Sequence, residues 1–255
     1  FALYANVDSF SYSEAEIDLD KRPEIDRWVI SKLNSLIKNV DEAYDQYEPT
    51  RAGRLIQSFV TDELSNWYVR LCRRRFWKGN YSEDKIAAYQ TLYRCLMTVS
   101  KLASPIAPFY SDQLFKDLAN ATNAKNEESV HLETFPEVNS SEIDEDLEVR
   151  MGYAQKISSL VLSLRKKENI KVRQPLQKIM VPVLDDKFTT QLAAISDLIK
   201  SEVNVKEVEA LTDTEGVLVK NIKPNFKALG PKYGKHMKAI AGAVNQFTAD
   251  DISTI

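Results

Sequence analysis

The chain has 255 residues, 44% hydrophobic and 28% charged, with a net charge of −3. That is enough length for two modest domains, each with its own core, and an ordinary composition for a soluble globular protein. No apolar run approaches the roughly 20 residues of a membrane span, the opening FALYANVDSF is no secretory signal, and the charge balance excludes a uniformly basic nucleic-acid binder.

Taken in chain order, Pro23 to about Tyr47 places Ile25, Val29, Leu33, Leu36, Val40 and Tyr44 at helical spacing, with Pro23 suited to a first turn. After Pro49, a second helix carries Ala52, Leu55, Ile56, Phe59, Val60, Trp67, Tyr68 and Leu71 inward, and Gly79-Asn80 closes it as a left-handed cap would. A third runs from Ser82 to Leu102, with Ile86, Tyr89, Tyr93, Leu96 and Val99 inward, and is broken by Ser104-Pro105 and Ala107-Pro108. A fourth, Pro108 to Ala119, completes a bundle. A long helix from Ser141 to Lys167 follows, with Ile143, Leu147, Ala154, Ile157, Val161 and Leu164 on one side.

The pattern then changes. Lys178–Leu184, Val203–Glu209 and Gly216–Ile222 read as strands, and Lys187–Lys200 and Lys232–Phe247 as helices. The expected fold class is α+β: a mainly α helical bundle over 23–170, preceded by a lead-in over 1–22 and followed by a small mixed α/β domain over 171–255.

Charge is unevenly spread. Arg70 to Lys78 carries five basic residues and no acid, Arg165 to Lys178 six and one, and Lys220 to Lys238 six and none; Glu127 to Glu148 is strongly acidic. The three basic patches fit contact with a polyanion at defined places, or simply solvated faces. The run Ser65 to Trp77, SNWYVRLCRRRFW, puts aromatic rings that can stack on bases beside guanidinium groups that pair with phosphates. Its Trp67, Tyr68 and Leu71 fall on the apolar stripe and read as core. Arg70, Arg73, Arg74 and Trp77 lie on an adjacent face.

No catalytic residue is assigned: there is no GxSxG, Walker loop or GxGxxG, and the adjacent carboxylates Asp41/Glu42 and Asp185/Asp186 do not face each other on a helix. His131 reads as a loop residue and His236 as a surface one. No metal site is expected from two cysteines and two histidines; Cys72 and Cys95 read as buried free thiols of a reducing cytosol.

Several segments, in order, carry a resemblance. Asp26-Arg27-Trp28 with Ile30-Ser31-Lys32-Leu33-Asn34, then SNWYVRLCRRRFW, is similar to the anticodon-binding helical domain of class I aminoacyl-tRNA synthetases. Ser104-Pro105-Ile106-Ala107-Pro108-Phe109 resembles its SPxxPF segment, and His131 with Phe135-Pro136 its HxxxFP-type turn. Leu164–Leu176 (LRKKENIKVRQPL), Val203–Val208 (VNVKEV) and Lys223–Lys235 (KPNFKALGPKYGK) resemble the C-terminal region of the eukaryote-like isoleucyl family, rather than the valyl one.

The resemblance implies recognition of tRNA(Ile), chiefly at the anticodon stem and loop, as one part of an enzyme that ligates isoleucine to tRNA. The HIGH and KMSKS signatures of that family are absent, and the start at Phe1 rather than Met reads as an internal cut. The piece is therefore expected to be non-catalytic alone and to hold no cofactor, ATP and Mg belonging to the parent's catalytic domain. The implied partners are tRNA(Ile) and that domain, with a monomer, no membrane and a cytoplasmic location expected. Candidate tRNA contacts are Arg70, Arg73, Arg74 and Trp77; Lys166, Lys167, Lys171 and Arg173; and Lys223, Asn225, Lys227, Lys232, Lys235 and Lys238. Two alternatives stay open: a scaffold docking on the catalytic domain, or the same module from a valyl-type enzyme.

Overall fold

A helix of 22 residues, Glu24–Asp45, is the spine of the N-terminal part of the molecule. Acidic Glu24 and Asp26 sit in its first turn, where they complement the helix dipole. The stripe Val29, Leu33, Leu36 and Val40 is buried as the spacing predicts, and Trp28, Ile30 and Ile37 are buried as well. This is a computed structural model; it describes every residue except 13, 78–79, 123–126, 184, 212–223, 245 and 248–255. It divides into two units, residues 1–170 and 171–255.

In the first unit, α1 (Ala2–Val7) leads through a loop to the spine, α2 (Glu24–Asp45). The second expected helix is a composite of α3 (Pro49–Ser58), a π-helical stretch over Phe59–Val69, and α4 (Arg70–Trp77). A π segment, bonded i to i+5, changes the angular step between α3 and α4. Phe59 continues the buried stripe of Ala52 and Ile56, Trp67 and Tyr68 are buried as expected, Leu64 is buried outside the expected stripe, and Val60 is only half-buried. The expected cap at Gly79 lies outside the described residues.

Ser82 caps α5 (Glu83–Ala103), its hydroxyl accepting from the Lys85 amide at 3.4 Å. Pro108 begins α6 (Pro108–Thr122). Between α5 and α6 a core of Tyr93, Met97, Phe115, Leu118 and Val130 forms, which Phe1 and Tyr12 join from the N-terminal segment. That segment folds back on α5: Phe10 stacks on Tyr89 at 4.9 Å and Tyr12 meets Tyr93 at 4.4 Å between ring centroids. Buried Arg22 donates to the Ile17 carbonyl at 2.9 Å and the Thr91 hydroxyl at 2.8 Å.

The acidic stretch after α6 is not a solvated run. Glu133 pairs with Lys101 at 2.7 Å, and Glu142 accepts from Asn34 at 2.8 Å and from Arg94 at 3.0 Å. Glu148 accepts from Ser31 at 2.6 Å and Ser35 at 2.8 Å. These bonds tie the segment to α2 and α5. A 3₁₀ turn, Ser140–Glu142, occupies the expected start of the long helix, which begins later as α7 (Glu145–Lys167), capped by Asp144 on the Leu147 amide at 2.9 Å. Leu164, expected inward, is 60% exposed, while Arg165 is 2% exposed. The phase explains this: position 165 lies five full turns after buried Leu147, and Leu164 is one step of about 100° away.

In the second unit, β1 (Leu176–Pro182) and β2 (Val205–Leu211) pair in parallel, Leu176 opposite Val205 and Pro182 opposite Leu211. The connection a parallel pair requires is α8 (Asp186–Val203), whose Leu192, Ile195, Ile199 and Val203 are buried. Asn204 ends α8 in the left-handed region, φ 53°, and its side chain donates to the Val172 carbonyl at 2.9 Å. Both strands start two residues after or before the expected positions. The third strand candidate, Gly216–Ile222, lies outside the described residues. The single helix expected over Lys232–Phe247 is instead α9 (Phe226–Tyr233), a 3₁₀ turn Gly234–His236, and α10 (Met237–Val244).

Candidate nucleic-acid interface

Of the four arginines on α4, Arg75 is structural. Its guanidinium bonds both oxygens of buried Asp26, at 2.6 and 2.9 Å, and reaches the Asp84 carboxylate at 3.0 Å and carbonyl at 2.8 Å. Tyr68 donates to the same Asp26 at 2.9 Å. Burial alone would lower the Arg75 pKa, but the bonds to Asp26 outweigh it and hold the group above its ordinary value. Burial, then the Asp26 charge, pushes the Tyr68 phenol well up. Burial also raises the Cys72 and Cys95 thiols to about 12 each, which leaves both unreactive at neutral pH. Trp67 and Tyr68 are core, as their spacing predicts.

This anchor fixes the direction of the other α4 side chains. Arg70, Arg73, Arg74 and Trp77 are exposed, Trp77 by half. Arg70 donates to the Asn66 carbonyl at 2.7 Å, with its guanidinium carbon 5.6 Å from the centroid of the Trp67 ring. The result is a basic face with an aromatic ring at one end, on a helix braced from behind.

Lys166 and Lys167 are exposed in the last turn of α7, where their charge also complements the helix dipole. Lys171 and Arg173 are exposed too, but they belong to the second unit. Lys227 lies in the first turn of α9, Lys235 in the 3₁₀ turn and Lys238 at the start of α10, all exposed. Lys232 lies within α9, and Lys223 lies outside the described residues. Asn225 is exposed immediately before α9, and Phe226 is 60% exposed. Gly230 and Pro231 fall inside α9, and a Cβ on Gly234 would meet nothing within 4 Å.

Sequence reasoning missed one surface of the first unit. At the C-terminal end of α2, the Tyr44 hydroxyl donates to the Leu102 carbonyl at 2.8 Å, and the Ile106 side chain lies 3.5 Å from the position of a Cβ on Gly53. The start of α3 and the α5–α6 link therefore meet there. Tyr47 is 92% exposed, Phe109 91% and Tyr110 71%. Tyr47 opens onto a cleft of about 540 Å³ lined also by Pro49, Thr50, Arg51 and Arg54. In the sequence Tyr44 reads as packing and Pro105 and Pro108 as helix breakers, and exposure has no signature in a single sequence.

Among the described residues no group of three or more His, Cys, Asp or Glu is placed to hold a metal, and no helix is long and apolar enough to cross a membrane.

A helical bundle with a braced basic helix and open aromatic surfaces is the build of a binding module. The chain belongs to the family described as the anticodon-binding domain of tRNA ligase, which matches residues 26–180. It is 58% identical over all 255 residues to the isoleucine–tRNA ligase of Cytophaga hutchinsonii, covering 23% of that protein. It is 56% identical over its whole length to that of Bacteroides fragilis, covering 22%, and 41% identical over 96% of its length to that of Clostridium novyi, covering 23%. The chain thus spans less than a quarter of the length of these curated relatives.

Proposed function

We propose that this chain is the tRNA-recognising part of an isoleucine–tRNA ligase, binding tRNA(Ile) mainly at the anticodon stem and loop. The carrying observation is its membership of the anticodon-binding family together with whole-length identity to isoleucine–tRNA ligases. In this reading the loop bases are splayed and read on faces and edges, while Arg70, Arg73, Arg74, Lys166, Lys167, Lys227, Lys235 and Lys238 hold phosphates. Trp77, Asn225, Lys171, Arg173, Lys223 and Lys232 complete the candidate contacts. Isoleucine activation with ATP and Mg falls to the three-quarters of the relatives' length that this chain does not span; the assembled enzyme works as a monomer in the cytoplasm.

An electrophoretic shift with tRNA(Ile) and a non-cognate tRNA at two salt concentrations tests it. Tighter binding of tRNA(Ile), weakening as salt rises, is expected because phosphate contacts release counterions. Equal affinity for both tRNAs, or binding indifferent to salt, contradicts it.

A second reading has its own support. Arg75 shows one α4 arginine used wholly for internal bracing, so the neighbouring arginines are also suited to docking on another domain. Changing Arg70, Arg73 and Arg74 to Ala in the full-length ligase separates the readings: lower stability with unchanged tRNA affinity supports docking.

A further inference from the structure

Three helix ends in the first unit share one backbone device. After α1, α2 and α7 the chain turns through a left-handed residue, Ser9, Tyr47 and Asn169, each with φ 56°. At each, the next amide bonds back across the turn: Phe10 to the Ala5 carbonyl at 2.8 Å, Glu48 to Ala43 at 2.8 Å and Ile170 to Arg165 at 2.8 Å. This position favours Gly, then Asn, because a Cβ crowds the following carbonyl. Small polar residues occupy two of the three sites. The third holds a tyrosine whose ring is 92% exposed, so packing does not repay the backbone strain.

The same end of the bundle exposes Phe109 and Tyr110 from the first turn of α6. Its charges are specific. Arg51 is held by Glu48 at 3.3 Å and Glu42 at 3.9 Å, whereas Arg54 makes no hydrogen bond or ion pair with a described residue. Asp41, Glu42, Asp45 and Glu48 are all exposed around it. That acidity repels the double row of phosphates of a duplex, but a single base turned out of a loop brings its neutral face and only one adjacent phosphate.

We propose that Tyr47, Phe109 and Tyr110 form a stacking platform for unpaired bases of an RNA loop, with Arg54 meeting the neighbouring phosphate. The platform deepens, and rests on, the RNA-binding reading above. Rings accept any base face, so it contributes affinity and position, and sequence discrimination comes from other contacts.

The test uses the whole chain and an RNA hairpin whose seven-nucleotide loop carries 2-aminopurine at each position in turn, a base whose fluorescence is quenched on stacking. Wild type should quench at one or two loop positions. Tyr47→Gly and Phe109→Ala should each weaken binding about tenfold and abolish one quench. Tyr47→Gly suits its φ and Phe109 is exposed, so both variants should melt at the wild-type temperature. Arg73→Ala with Arg74→Ala should weaken binding but leave the quench amplitude at saturation unchanged. If wild type binds the hairpin and both ring variants match it within twofold with quenching intact, the platform is overturned alone. If wild type does not bind the hairpin, the RNA-binding reading falls with it.

Discussion

The two ends of α2 are built on opposite principles. The helix has 22 residues and is about 33 Å long. At its N-terminal end Asp26 is fully buried and both its carboxylate oxygens are bonded, by Arg75 and Tyr68. At its C-terminal end a strained tyrosine, two further exposed rings and Arg54 face solvent. A saturated network holds a structure in place, because losing one member leaves a buried charge behind. An open one leaves interactions to be made with something else. The comparison predicts that substitutions at the first end change stability and those at the second change binding.

The largest effect should come from Arg75→Ala, which strands Asp26 without its counter-ion. A loss of about 3–5 kcal/mol is expected, read as a lower midpoint in urea unfolding. Tyr68→Phe removes only the hydroxyl bond to Asp26 and should cost about 1.5–3 kcal/mol in the same assay. Arg73→Ala, on the exposed face of the same helix, should change stability by less than about 0.5 kcal/mol. A stability loss for Arg73→Ala equal to that for Arg75→Ala would erase the distinction between the two faces of α4.

Acid should act next, and in a definite direction. Asp112 is lowered from 3.8 to about 2 by its bonds to Lys116, Ser129 and the Val130 amide. Glu133 is lowered chiefly by Lys101; for Glu142, burial raises the pKa but the bonds to Arg94 and Asn34 outweigh it. A carboxylate held below its ordinary value stabilises the fold above that value and loses the contribution as pH falls through the folded pKa. Melting temperature should therefore fall from about pH 4.5 downward, and Asp112→Asn should flatten the part of the curve between 3.8 and about 2. An unaltered slope in that variant would show that the Asp112 bonds are not coupled to folding. The smallest change is expected for Tyr47→Gly: a melting temperature equal to wild type or slightly higher, as left-handed strain is relieved and partly offset by backbone entropy.

Helices with one regular period and clear breakers were legible before any coordinates. The α2 stripe, the Ser82 start of α5, the proline breaks and the burial of Trp67 and Tyr68 all follow from spacing and capping chemistry. The π stretch over Phe59–Val69 was not, because an i to i+5 segment leaves no regular repeat in apolar positions. Leu164 was misplaced by one helical step, since either Leu164 or Arg165 could take the inward phase and hydrophobicity chose the wrong one. Helical spacing set Arg70, Arg73 and Arg74 on one face apart from Arg75, but the role of Arg75 was out of local reach because its partner Asp26 lies far away in sequence. The partners of the acid-rich stretch were out of local reach for the same reason, Lys101, Arg94 and Asn34 lying on earlier helices. Tyr47 is the plainest case: its meaning lies in a positive φ and an open ring.

The division between the ends of α2 is tested most directly by measuring melting temperature and RNA-hairpin affinity together for Tyr68→Phe and Tyr47→Gly. The account predicts a lower melting temperature with affinity kept for Tyr68→Phe, and affinity reduced about tenfold with melting temperature kept for Tyr47→Gly. Loss of both properties together in each variant, or the reverse pattern, would contradict it.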